Sequence, residues 1–278
     1  MVELLDIYLA TGAPISEGWA RLADLRLGIL VGGMGAGKST TMQSLRQAGL
    51  DFTLLPNRRE LTERLIVAPI QREDGLTPHK LDRLSRLPYI HRYHQRQPAG
   101  LGYAITQLSV DPAQIAPQGN PLLMFDGLRG AEEVQYAYNH LPRAFFIGLY
   151  TTDYVRLNRL VERRDAYDHI SAGGACHGPE EQIDHLTDLG VPLAGALFTS
   201  NEAQTLLESV RRGIISPADL RDRLTLLSAE RELYDLNATF SFMQTLGEKR
   251  AAVIDTTSLT PAQVLDASLE FITQYHSR

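Results

Sequence analysis

The residues most able to do chemistry stand at 32–39. Gly32, four intervening residues, then Gly37, Lys38 and Ser39 follow the pattern G-x-x-x-x-G-K-[ST]. Glycines let a backbone wrap closely around phosphate, and N–H groups at the start of a helix attract negative charge. The apolar run LGILV (27–31) precedes the glycines and a polar-then-amphipathic stretch follows, so strand, loop and helix agree with that mechanism. The expected nucleotide contacts are Gly32, Gly35, Gly37, Lys38, Ser39 and Thr40. Lys38 would reach the β- and γ-phosphates, Ser39 would ligate Mg²⁺ and Thr40 would meet the α-phosphate. No Asn-Lys-x-Asp run for guanine occurs anywhere, which favours ATP over GTP. A bound polyphosphate leaves open whether its terminal group goes to water or to a second substrate.

An acidic residue ending an apolar strand should complete the magnesium shell, and Asp126 in PLLMFDGLRG fits. Hydrolytic motors commonly carry a glutamate directly after this aspartate to polarise water. Here Gly127 follows, which suits an enzyme whose nucleophile is a bound acceptor. In TTDYVRLNRLVERRD, Arg156, Arg159 and Arg163 are three and four apart and share one helix face, with Leu157, Leu160 and Val161 on another. A solvated face pairing with Glu162 and Asp165 is the plain alternative. From Asn57 to Pro98, eight arginines and one lysine face five acids, a local charge of +4 in a chain of net charge −6. Arg58, Arg59, Arg92 and Arg96 in that stretch could hold an acceptor's phosphate or carboxylate; a basic solvated helix would show the same composition. A metal site at His91 and His94 lacks a third ligand at suitable spacing. Cys176, the only cysteine, excludes an internal disulfide and a multi-cysteine zinc site. Beside His177 in a glycine-rich loop, it has no fixed geometry for thiol catalysis.

These residues need a scaffold. The runs 27–31, 52–55, 121–126, 144–150 and 251–255 are short and apolar, as central parallel strands are, and helical patterns follow at 37–48, 57–67, 131–140, 153–165 and 261–275. The last begins with Thr260, Pro261 and Gln263, a capping box with proline at the first helical position. Such alternation predicts a parallel sheet covered on both faces. Residues 3–10 and 16–25 read as two short helices, the second capped by Ser16, giving an expected N-terminal helical extension over 1–26. The stretches 56–118 and 166–250 are too long for bare loops and should carry helices.

The bulk composition agrees with an ordinary globular chain: 278 residues, 44% hydrophobic and 22% charged. Net acidity disfavours a general nucleic-acid or membrane-coating role. The start has no basic n-region, and no apolar run approaches a bilayer span, so a cytoplasmic protein is expected.

DGLRG resembles the Asp-Gly-x-(Pro)-Arg element of adenylate-kinase-like proteins. DGLRGAEEV is similar to the Asp-Gly-Ile-Arg-Ser-x-x-Glu-Val run of archaeal proteins related to adenylate and dephospho-coenzyme A kinases. The resemblance covers about 27–50, 120–165 and 250–275. It implies the α/β P-loop NTPase fold: a three-layer sandwich on a five-stranded parallel sheet ordered 2-3-1-4-5, with the Asp126 strand beside the phosphate-loop strand. It also implies a kinase-like domain over 27–278, with an acceptor-binding insertion at 56–118 and a lid and helical insertion at 151–249. Arg159 and Arg163 would be lid arginines and Arg129 would bind the acceptor.

The function expected is ATP- and Mg²⁺-dependent phosphoryl transfer to a small anionic acceptor, such as a nucleotide or nucleoside, with Lys38, Asp126, Arg159 and Arg163 carrying catalysis. The alternatives are an ATP-binding regulatory switch that docks a partner through its helical insertion, and a nucleic-acid end kinase using the basic stretch as a groove.

Overall fold

Residues 3–10, whose apolar spacing suggests a helix, form instead a hairpin of β1 (Glu3–Asp6) and β2 (Leu9–Thr11). This computed structural model describes residues 3–12, 17–115, 122–163, 183–247 and 249–277; Ser16, Asp165, Cys176, His177 and the 171–179 loop lie outside them. The 16–25 segment is likewise not a helix over its described part. It contains β3 (Ala20–Arg21) and one short 3₁₀ turn, Leu22–Asp24. With β6 (Leu108–Val110) these strands make an antiparallel sheet ordered β1-β2-β6-β3. Strands of two to four residues are too short to display a period of two, so sequence cannot tell them from helical turns. Leu9, Val110 and Leu22 are buried at its heart.

The chain divides into two units. The first comprises Met1–Gly33, Gly37–Tyr150 and Tyr234–Arg278, and the second Met34–Ala36 with Thr151–Leu233. In the first, β4 (Arg26–Val31) leads to α1 (Lys38–Gln47), and β5 (Thr53–Leu54) to α2 (Arg58–Thr62). A π-helical turn, Glu63–Val67, continues α2 into α3 (Ala68–Glu73). Then come α4 (Leu87–Arg96), α5 (Gly100–Thr106) and the single turn α6 (Pro112–Ile115), so the 56–118 stretch carries helices as expected. Next are β7 (Leu122–Leu128), α7 (Ala131–His140) and β8 (Ala144–Tyr150).

The second unit holds α8 (Asp153–Arg163), α9 (Ala194–Leu197), α10 (Ser200–Arg211) and α11 (Pro217–Leu233). The chain then returns to the first unit with α12 (Leu236–Thr245), β9 (Ala251–Asp255) and α13 (Pro261–His276). Thr260 caps α13 by accepting from the Gln263 N–H at 3.3 Å, while the Gln263 side chain accepts from the Thr260 N–H at 2.9 Å, the reciprocal pair expected.

The large sheet is parallel and ordered β5-β7-β4-β8-β9. Counted from β4, that is 2-3-1-4-5. Parallel neighbours need crossovers, and right-handed crossovers that run in opposite directions from the centre put α1 and α7 on opposite faces. The central strand reads RLGILV, and Leu27, Ile29, Leu30 and Val31 are wholly buried, because both faces are covered. Gly28 stands mid-strand because a Cβ there would overlap the Met124 and Phe145 side chains.

Candidate active site

Every core strand of a parallel sheet points the same way, so the loops after β4 and β7 emerge at one edge. In the first unit, Gly32 donates its N–H to the Leu128 carbonyl at 3.1 Å, joining the start of the phosphate loop to the end of β7. Lys38 Nζ donates to the carbonyls of Gly32 and Gly33 at 2.7 and 2.8 Å. Gly37 immediately precedes α1 with φ of 96°, a left-handed conformation that only glycine adopts without strain. Ser39 and Thr40 follow in the first turn with exposed side chains. Loop, lysine and helix start therefore present the donors that a polyphosphate requires.

Asp126 lies near the end of β7, beside the phosphate-loop strand, as expected. Burial pushes its carboxyl above the ordinary range, while Lys38, Arg129 and Arg58 pull it back down. Gly127 after it admits no side chain, since a Cβ there would overlap the Phe125 ring. The hard oxygen donors here, the Ser39 hydroxyl and the Asp126 carboxylate, fit Mg²⁺, which keeps several waters and takes one or two protein ligands plus phosphate. Among the described residues no cluster of three His, Cys, Asp or Glu could hold a metal by itself.

Beyond Asp126 lies a buried ionic network. Arg58 donates to Glu133 at 2.8 and 2.9 Å, to Tyr234 Oη at 2.6 Å and to the Gly127 carbonyl. Glu133, only 1% exposed, also accepts from the N–H groups of Arg129 at 2.9 Å and Leu101 at 3.3 Å. Burial alone would raise the Glu133 pKa, but Arg58 and these bonds hold it below the usual range; Glu133 and Tyr234 in turn hold Arg58 above its own. The packing is close: a Cβ on Gly102 would overlap the Glu133 backbone. His94 sits edge-on to Tyr234 with ring centroids 5.8 Å apart.

Sequence reasoning missed two members of the surrounding arginine cluster, Arg83 and Arg86. Arg86 is buried, and its proton affinity is lowered by burial and then by Arg59 and Arg83, against Glu63 and Asp82. Burial likewise lowers Arg129, with Arg58 and Arg83 adding to the effect. Two of five clustered guanidiniums thus sit where their own charge is disfavoured, and an entering anion would relieve that. The available signal was the RLSR spacing at 83–86, which puts both arginines on one side of a turn.

Arg92 and Arg96 make surface pairs. Arg92 pairs with Asp74 at 2.6 Å and Arg96 with Glu73 at 2.7 Å, exposed links between α4 and α3. Neither is among the principal charges acting on Arg86 or Arg129.

In the second unit the three α8 arginines have three environments despite their common spacing. Arg156 is buried, Arg159 is half-buried and donates to the Gly35 carbonyl at 3.3 Å, and Arg163 is exposed. Helix geometry placed them on one side; what α11 and the loop tip cover separates them.

The strand order and the phosphate loop between β4 and α1 define this chain as an α/β protein of the P-loop NTPase fold. No family model matches the sequence, and no curated protein does. Among solved structures, the chain is similar to a sugar kinase from a Janibacter species, at 13% identity over 91% of this chain and 97% of that one, with TM-score 0.37. It is also similar to shikimate kinase from Acinetobacter baumannii, solved with shikimate, at 17% identity over 92% and 98%, with TM-score 0.31. Shikimate kinase from Aquifex aeolicus gives 14% over 90% and 98%, at 0.31. At these values the likenesses carry no argument about chemistry. Among the described residues no helix is long and apolar enough to cross a membrane.

Proposed function

We propose that the protein is an ATP- and Mg²⁺-dependent phosphotransferase that moves the γ-phosphoryl group to a small anionic acceptor, such as a nucleotide. The observation that carries this reading is geometric. The Gly32 N–H donates to the Leu128 carbonyl at 3.1 Å and Arg58 donates to the Gly127 carbonyl, so the start of the phosphate loop and a basic side chain both hold the end of β7 that carries Asp126.

In this reading the loop N–H groups and Lys38 hold the polyphosphate. Ser39 and Asp126 would hold Mg²⁺, which would supply charge neutralisation on the transferred group. Arg129 attracts and orients the acceptor's anion, and Arg58 and Arg83 add to the positive field around it. Asp126 takes the acceptor's hydroxyl proton as that oxygen bonds to the γ-phosphorus; the bond to the β–γ bridging oxygen breaks and ADP leaves. Arg159 and Arg163 enter from sequence as the groups that carry transition-state charge.

The test is a screen of nucleotides and small phosphorylated metabolites for ATP-dependent gain of one phosphoryl mass. Transfer is expected for at least one acceptor and lost in Lys38→Ala. Transfer retained in that variant would refute the assignment. One observation favours a second reading, a regulatory ATP switch: residues 151–233 form a unit of their own with the loop tip 34–36. Phosphate release that no acceptor alters would support that switch.

A further inference from the structure

Met34, at the tip of the phosphate loop, is held by two side chains that the loop's sequence motif does not contain. Arg156 Nε donates to the Met34 carbonyl at 2.7 Å. Both carboxylate oxygens of Glu230, on α11, accept from the Met34 N–H at 3.1 and 3.2 Å. Arg156 and Glu230 are bonded to each other, so the residue is gripped on its donor and acceptor sides by one ion pair. Both partners are buried, with side chains 1% and 2% exposed. Arg156 is steadied further by Asp153 at 2.7 Å, which also pairs with Arg231 at 3.0 Å. The fit leaves no slack: Gly35 has φ of 73°, and a Cβ there would come within 2.8 Å of the Arg156 carbonyl oxygen. Arg159 holds the next carbonyl, that of Gly35.

A phosphate loop binds anions through backbone N–H groups, so their directions set its affinity. Burying a charged pair is expensive, and such a pair adds little net stability over apolar residues of the same volume. Its placement on the loop tip indicates another use. We propose that Arg156 and Glu230 are positioning residues: they fix the Met34 peptide so that the loop keeps its anion-binding shape, and nucleotide affinity thereby depends on α11. The proposal rests on the phosphotransferase reading only in taking MgATP as the ligand.

The test uses the full chain with Arg156→Met, Glu230→Met and the double variant, measuring Tm, the Kd for MgATP and amide exchange at residues 35–37 without nucleotide. Each single variant breaks the buried Arg156–Glu230 pair and should lower Tm by roughly 10 °C. The double variant should recover most of that Tm, yet bind MgATP about tenfold more weakly, as when only a tenth of the loops are competent. Its amides at 35–37 should exchange faster. A purely structural pair would recover affinity together with Tm, and that result would overturn the proposal. Should neither methionine variant fold, Glu230→Gln keeps the shape and removes the charge. About threefold weaker binding is then expected, and unchanged affinity overturns the proposal. If the wild type binds no MgATP, the phosphotransferase reading fails by itself. The positioning claim then stands or falls on whether exchange at 35–37 accelerates in the folded variant.

Discussion

Two arginine–glutamate pairs with buried carboxylates, one in each unit, use the same chemistry to different ends. Arg58 and Glu133 in the sheet unit are the centre of a network that also takes in Tyr234, the Gly127 carbonyl and the N–H groups of Leu101 and Arg129. Arg156 and Glu230 in the helical unit converge on one residue, Met34. The first network joins α2, α5, α7 and the end of β7 and so shapes the ground around Arg129. The second shapes the loop tip. A buried charge pair therefore says little about function until the atoms it holds are known.

The comparison breaks first where chemistry is removed and both pairs are left intact. Asp126→Asn should cut transfer by about 10²–10⁴-fold, the usual worth of a positioned base, and should also raise stability at neutral pH. The folded-state pKa of Asp126 lies above its unfolded value, so its stabilising contribution is full below the unfolded pKa and lost as pH rises through the folded one. Without Mg²⁺, Tm of the variant should exceed wild type at pH 7. A variant with unchanged transfer would remove Asp126 from the mechanism.

Glu133→Gln comes next. It strands the Arg58 charge and should cost about 3–5 kcal/mol, read as a lower denaturation midpoint with unchanged slope. The sign with pH is opposite to that of Asp126: Glu133 is depressed, so its stabilisation is present above the unfolded pKa and lost as pH falls through the folded one. The acid-side loss of Tm should therefore shrink in Glu133→Gln, and a loss of full size would deny Glu133 its central place.

Arg129→Ala sharpens the contrast between the two pairs. It should raise the acceptor KM about tenfold or more, the worth of a charge-assisted bond, while the Kd for MgATP stays within a factor of two. An equal change in both would mean that Arg129 serves the donor. Smallest of all, Arg92→Ala with Arg96→Ala should leave acceptor KM and Tm unchanged, because their partners are exposed carboxylates. A raised KM would return these residues to the acceptor site that the sequence suggested.

Much of the scaffold was legible because its signals are local. The five core strands, the Thr260 cap and the Asp126–Gly127 step follow from runs of apolar residues and from turn chemistry within a few positions. The small antiparallel sheet was not legible. Its strand β6 comes from the basic excursion and pairs with residues nearly a hundred positions away. The arginines divided in the same manner. Arg58 was visible as a basic residue just after a core strand and Arg129 through the DGLRG resemblance, but Arg83 and Arg86 lie in a stretch of turns. Arg92 and Arg96 carried the same compositional signal and became surface links.

The sequence by itself determined the phosphate loop and the aspartate that follows an apolar run, since each depends on residues close in the chain; the strand order came only through the resemblance. Only the tertiary structure decided which arginines are buried, which carboxylates face them and that Glu230 grips Met34 across 196 positions. Charge in a sequence has no address. Burial and partner distance set what a guanidinium does, and both arise only when remote segments pack.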